Sequence, residues 1–138
     1  MKPTTSEHQD LLKRALTGNA VFSLLSGLVV VFANRWLVNF LGLSASISLG
    51  LGAIGISLVV YAVLLCLSTR RSHIRISNAW LAVVMDVLWV LGSCALVMVV
   101  PFSAAGKWTV ILVADLVLLF AILQWLGIRR VQKSAHPA

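Results

Sequence analysis

An all-α integral membrane protein, a four-transmembrane-helix bundle with both termini cytoplasmic, is the fold class predicted by three observations. The 138 residues are 60% hydrophobic and 11% charged, with a mean hydropathy of +1.01, whereas soluble domains average about 25% charged and about 45–50% apolar. Four apolar stretches are each long enough to cross a hydrocarbon core of about 30 Å, which takes about 20 residues. Basic residues cluster at the ends of these stretches, nine on one side of the membrane and two on the other. Four spans leave only short loops, so residues 1–138 are read as a single membrane domain.

The first span is expected at about 15–34, between Lys13–Arg14 and Arg35. The second covers about 45–68, rich in Gly and Ser early, and stops at Arg70 and Arg71. The third, about 77–100, contains Asp86 and ends at Pro101; the fourth, about 108–128, contains Asp115 and ends at Arg129 and Arg130. All four must be helices, because a lone strand in lipid leaves its backbone groups unpaired. A signal peptide is not expected at the first span: the apolar run exceeds the usual core of about 7 to 15 residues, and no small-x-small cleavage site follows it.

Orientation follows from the short loops. Lys2, Lys13, Arg14, Arg70, Arg71, Arg75, Arg129, Arg130 and Lys133 share one side, and Arg35 and Lys107 the other. Positive loops stay cytoplasmic, which places both ends inside a cytoplasmic (inner) membrane. The same distribution removes nucleic acid as a partner, because these residues mark span ends and form no basic groove interleaved with aromatics.

Outside the spans, residues 1–14 form an amphipathic segment with a Thr4-x-x-Glu7 capping-box spacing. It is expected to continue the first span, with a surface anchor for anionic lipid as the alternative. Trp36, Leu37, Phe40 and Leu41 recur at helical spacing and predict a short interfacial helix. A weak internal match superposes Asn19 on Asp86, Phe22 on Trp89 and Ser26 on Ser93, as in a 2+2 hairpin repeat.

The candidate site starts from Asp86 and Asp115, two of only four acidic residues. A carboxylate at the bilayer centre costs roughly 2.5–3.5 kcal/mol on insertion scales, so each is expected to face the bundle interior. At 1.5 Å per residue, Asp86 lies about 13–14 Å from the inner surface and Asp115 about 10–11 Å from the outer one. The vertical gap is then only about 5–7 Å across a core of about 30 Å, and the two are expected to meet. No Lys, Arg or His lies inside any span to neutralise them. The pair is therefore read as a protonatable site, against the simpler reading of hydrogen-bonding glue between helices.

Asn19, Ser23 and Ser26 form a polar stripe on the first span, and Trp89 and Ser93 share the face of Asp86 on the third. On the fourth, Trp108, Ile111 and Ile122 share the face of Asp115. Gln124 points nearly the opposite way and is read as snorkelling to the inner interface or as a contact towards another subunit. Tyr61 and the Trp residues are expected to pack or sit at interfaces, with an aromatic ligand box as the lesser alternative. Ser48, Gly52 and Gly55, with the neighbouring Ser46-x-x-x-Gly50, are the small residues that let helices approach closely.

Catalysis has little to build on. His8, His73 and His136 all lie in loops or tails, so neither a haem nor any other cofactor is expected. No metal-ligand cluster, phosphate loop or nucleophile triad can be placed. Cys66 and Cys94 differ too much in depth for a disulfide. In size and helix number the chain resembles the small multidrug transporters, which depend on an acidic residue in their first helix; this first span has none.

The sequence therefore predicts a protein that binds or transports a small amphiphilic, lipid-like or cationic ligand. Its site comprises Asp86, Asp115, Asn19, Ser23, Ser26, Trp89 and Ser93. A noncatalytic scaffold on a larger membrane protein is the alternative, and a lipid-modifying enzyme the third reading. Membrane lipids, and a parallel homo-oligomer or a larger membrane protein, are the expected partners.

Overall fold

A computed structural model describes residues 5–71 and 73–135, with side chains from Gln9 onward. The Thr4-x-x-Glu7 capping box, Lys2 and His136 lie outside the described residues, as does the His8 side chain. Helix α1 spans Thr5–Phe32 and α2 Asn34–Leu41; a single 3-10 turn, Ala45–Ile47, leads into α3, Ser48–Thr69. After the loop come α4, Ile76–Val99, and α5, Ala104–Ala135. Helices α1, α3, α4 and α5 are each long and apolar enough to cross a membrane, which makes this a multi-pass membrane protein.

The N-terminal segment is continuous with the first span. Leu12, Ala15 and Leu16 are buried in the bundle, because Gly127 of α5 leaves room for the backbone of Leu12: a Cβ there would lie 3.0 Å from the Leu12 Cα. At 32 residues, or about 48 Å of rise, α5 exceeds the predicted fourth span at both ends. Its last turns carry Arg129, whose guanidinium sits 4.6 Å from the ring centre of Trp125. Between the first two spans the predicted short helix is present as α2, separated from α1 by Ala33 (φ −99°, ψ 19°). Trp36 and Phe40 stack on it with ring centres 5.0 Å apart.

Helix α1 is central, packing most extensively on α3 and also on α5, while α4 packs on α5. Small residues set the closest approach. A Cβ on Gly27 would meet the Gly55 carbonyl oxygen at 2.8 Å, so α1 and α3 nearly touch backbone to backbone. Ser48 and Gly52 continue this seam: Ser48 Oγ donates to Asn34 Oδ1 at 2.8 Å, and Asn34 Nδ2 donates to the Ser48 carbonyl at 2.9 Å. The neighbouring register faces away, since Gly50 has nothing within 4 Å of where a Cβ would sit.

At the same end, α2 is clasped to the start of α5. Ser103 N donates to the Leu41 carbonyl, and Ser103 Oγ donates to that of Phe40. At the opposite end, Leu12, Leu16, Ala20, Leu65, Ala79, Ala82, Val83 and Ile128 form an apolar core. Among the described residues the backbones of α3 and α4 approach each other little, and that seam is where the site lies.

Candidate intramembrane polar site

One turn above the apolar core, three of the four long helices direct a polar side chain at a single carboxylate carried by the fourth. Asp86 is 3% exposed on α4, while Asn19 of α1 and Gln124 of α5 are wholly buried. Asn19 Nδ2 donates to Asp86 Oδ2 at 2.7 Å, and Gln124 Nε2 donates to the same oxygen at 3.0 Å. From α3, the Tyr61 hydroxyl reaches Asp86 Oδ1 at 2.9 Å. Ser23, one turn along α1, donates to Asn19 Oδ1 at 3.2 Å, which orients the Asn19 amide with its NH2 towards the acid.

The sequence explains why these groups meet. On α4, Ala79, Ala82, Val83, Asp86 and Ser93 all lie on the buried face, so a helix drawn to the core by its alanines carries Asp86 inward with them. Leu12, Leu16, Asn19 and Ser23 do the same on α1. The three donors to Asp86 are neutral, and no Lys, Arg or His lies within the apolar runs. Hydrogen bonds offset much of the cost of burying a carboxyl group, but they supply no opposite charge.

Two features of this network remain unsaturated. Gln124 Oε1 is a buried acceptor with no hydrogen-bond partner among the described residues. The Tyr61 hydroxyl has one proton and two acceptors within reach, Asp86 Oδ1 and, at 3.3 Å, the Ala82 carbonyl. Moving that proton between them would keep α3 tied to α4 while changing what Asp86 receives.

A cavity of about 110 Å³ adjoins the network on the side away from the apolar core. Asp86 and Tyr61 border it together with Phe22, Ser23, Ser26 and Trp89, and Ser57 and Met85 lie at its exposed edge on α3 and α4. A more open hollow of about 790 Å³ beside Arg35, Trp36 and Leu49 does not touch Asp86. The smaller cavity is the one joined to buried acid chemistry.

Of the sequence-predicted residues, the structure joins Asn19, Ser23 and Asp86 directly and brings Ser26 and Trp89 to the adjoining cavity. Ser93 is buried further along α4, away from the cavity lining. The expected approach of the two acids does not occur. Asp115 is exposed on the outer side of α5, together with Trp108 and Ile122 of its predicted inward face. The small residues Gly106, Ala114, Ala121 and Gly127 pull the opposite side of α5 against its neighbours, and Gln124 goes inward with them. Gln124 therefore neither snorkels nor faces another subunit. Tyr61, assigned to packing by sequence, is a direct ligand of the acid. Its place as the lone phenol in an otherwise apolar part of α3 marks a polar group there but not what that group meets. Comparison of the chain with protein-family models, with curated proteins and with solved structures gives no match, so the functional reading rests on this geometry.

Proposed function

We propose that this protein binds or transports a small amphiphile with a cationic head, held at Asp86, in a cytoplasmic membrane with both termini inside. The observation that carries the reading is a buried carboxyl group with three neutral donors, no cationic side chain in the spans, and a cavity at its flank. An acid in that setting is neutralised by a proton or by a cation arriving from the cavity, and the two compete for one group. Competition of this kind is the simplest coupling between ligand and proton.

Size and lining narrow the ligand. A cavity of about 150 Å³ admits a benzene ring, so about 110 Å³ takes a head group of a few heavy atoms. The rest of an amphiphile extends through the α3–α4 seam towards the acyl chains. Phe22 and Trp89 supply aromatic surface to a cation lacking water. The two hairpins meet unevenly: α1 packs on α3 and α4 on α5, but the α1–α5 contact has no close counterpart between α3 and α4, which leaves this seam open.

The test is native mass spectrometry of the protein in neutral detergent with dodecyltrimethylammonium and, separately, dodecanol. One alkylammonium per chain is expected at pH 7, with retention reduced at least about tenfold by Asp86→Asn, or about 1.4 kcal/mol. Retention unchanged by Asp86→Asn would remove this reading and leave the carboxyl group as interhelical glue.

A further inference from the structure

The side of α5 turned away from the bundle is a heptad stripe. Trp108, Asp115 and Ile122 recur every seven residues, with Leu112 and Leu119 four residues after the first two. Trp108 is 69% exposed, Leu112 62%, Leu119 51% and Ile122 45%, and Asp115 between them is also exposed. The inward side of the same helix is made of Gly106, Ala114, Val117, Ala121, Gln124 and Gly127. A repeat of this spacing is the seam along which two helices pack knobs into holes.

Asp115 lies seven residues past Trp108, about 10–11 Å along α5 and within its apolar run. Among the described residues no side chain hydrogen-bonds or ion-pairs with it, and acyl chains offer a carboxyl group nothing. An ionisable group at that depth faces a partner or a water-filled space. We propose that the partner is a second copy of this chain, docked through α5 in a parallel two-fold dimer in which the two Asp115 carboxyl groups face each other. A two-fold axis along the membrane normal brings each seam residue opposite its own copy. A carboxyl pair is self-complementary there: one group donates its proton and the other accepts it. The nine-to-two division of basic residues allows only the parallel orientation, because both copies must insert the same way. This dimer is independent of the ligand reading at Asp86, which lies on the opposite side of α5.

Cross-linking of the full chain in lipid bilayers tests it. In a Cys66→Ser/Cys94→Ser background, cysteines are introduced singly at Trp108, at Ile122 and, as a control on the exposed side of α4, at Leu88. Oxidation is expected to give homotypic dimers for Trp108→Cys and Ile122→Cys, and none for Leu88→Cys. A mixture of the first two variants should give no heterotypic product. Dilution into excess lipid, followed by energy transfer between labelled copies, gives the second readout. Asp115→Asn, which keeps a self-complementary amide, should hold dimerisation within about threefold, and Asp115→Leu should weaken it about tenfold or more. Heterotypic products, cross-links favouring Leu88→Cys, or dimerisation indifferent to Asp115→Leu would each overturn the proposal.

Discussion

Gln124 and Asp115 point to opposite sides of α5: Gln124 is wholly buried with its amide 3.0 Å from Asp86, and Asp115 is exposed. Nine residues at 100° each amount to half a turn beyond two full ones, so the helix can present only one of them to the bundle. It presents the amide. An amide donates to the buried acid without adding charge, and Asp115, nine residues or about 13 Å along α5 from Gln124, would not reach Asp86 even if the helix were turned.

Gln124 is thus expected to behave as a structural donor with a flaw. Gln124→Ala removes the bond to Asp86 and opens a hole, and should lower stability by about 2–4 kcal/mol. Gln124→Leu fills the space and also eliminates the unpartnered Oε1, so its cost should be about 1 kcal/mol or less. Equilibrium unfolding in mixed micelles distinguishes the two. Equal losses would mean that the amide bond, and not the packing, dominates.

The α3–α4 seam depends on Tyr61 more than on backbone contact. Tyr61→Phe keeps the ring and deletes the hydroxyl that joins Asp86 and the Ala82 carbonyl. A loss of about 0.6–1.7 kcal/mol is expected, in line with hydrogen bonds between membrane helices. Amide hydrogen exchange should rise around residues 57–65 and 79–89, while the α1–α3 contact at Gly27 stays protected. Uniform acceleration over all helices would count against a local role for Tyr61.

Much of this was readable in the sequence because lipid imposes few solutions. The charges at Arg14, Arg70, Arg71, Arg129 and Arg130 delimit the spans, and the i, i+4 stripe of Asn19 and Ser23 on α1 does meet Asp86. The face of α5 was not readable from its most polar residue. Ranking Asp115 above Gln124 treats burial as a matter of charge, whereas the small residues Ala114, Ala121 and Gly127 decide which side packs. Tyr61 was missed for a related reason: a phenol is at home in apolar packing, and only the position of a neighbouring helix reveals what its hydroxyl meets.

Small residues on α3 divide into two registers with opposite expected behaviour. A Cβ at Gly27 of α1 would come within 2.8 Å of the Gly55 carbonyl, so Gly27→Ala must push α1 and α3 apart. A loss of about 1–3 kcal/mol follows from such overpacking. Gly50 faces open space, and Gly50→Ala should be neutral or gain up to about 1 kcal/mol in helix propensity. Thermal inactivation of the two variants side by side checks the pair. A loss at Gly50→Ala matching that at Gly27→Ala would place an additional partner against the outer register.

The clasp between α2 and α5 offers a last separation of backbone from side-chain effects. Gly42 adopts φ +72° at the end of α2, and a Cβ there would meet Ser103 N at 2.9 Å. Gly42→Ala therefore carries both the left-handed cost of about 1–2 kcal/mol and a clash with the group that holds the Leu41 carbonyl. Ser103→Ala removes the bond to the Phe40 carbonyl and the cap on Gly106 N, at 2.7 and 3.0 Å, for about 1 kcal/mol. If the clasp acts as a unit, the double variant should lose less than the sum, because Gly42→Ala already displaces Ser103. Strict additivity in a double-mutant cycle would show that the turn and the cap act separately, each stabilising its own helix end.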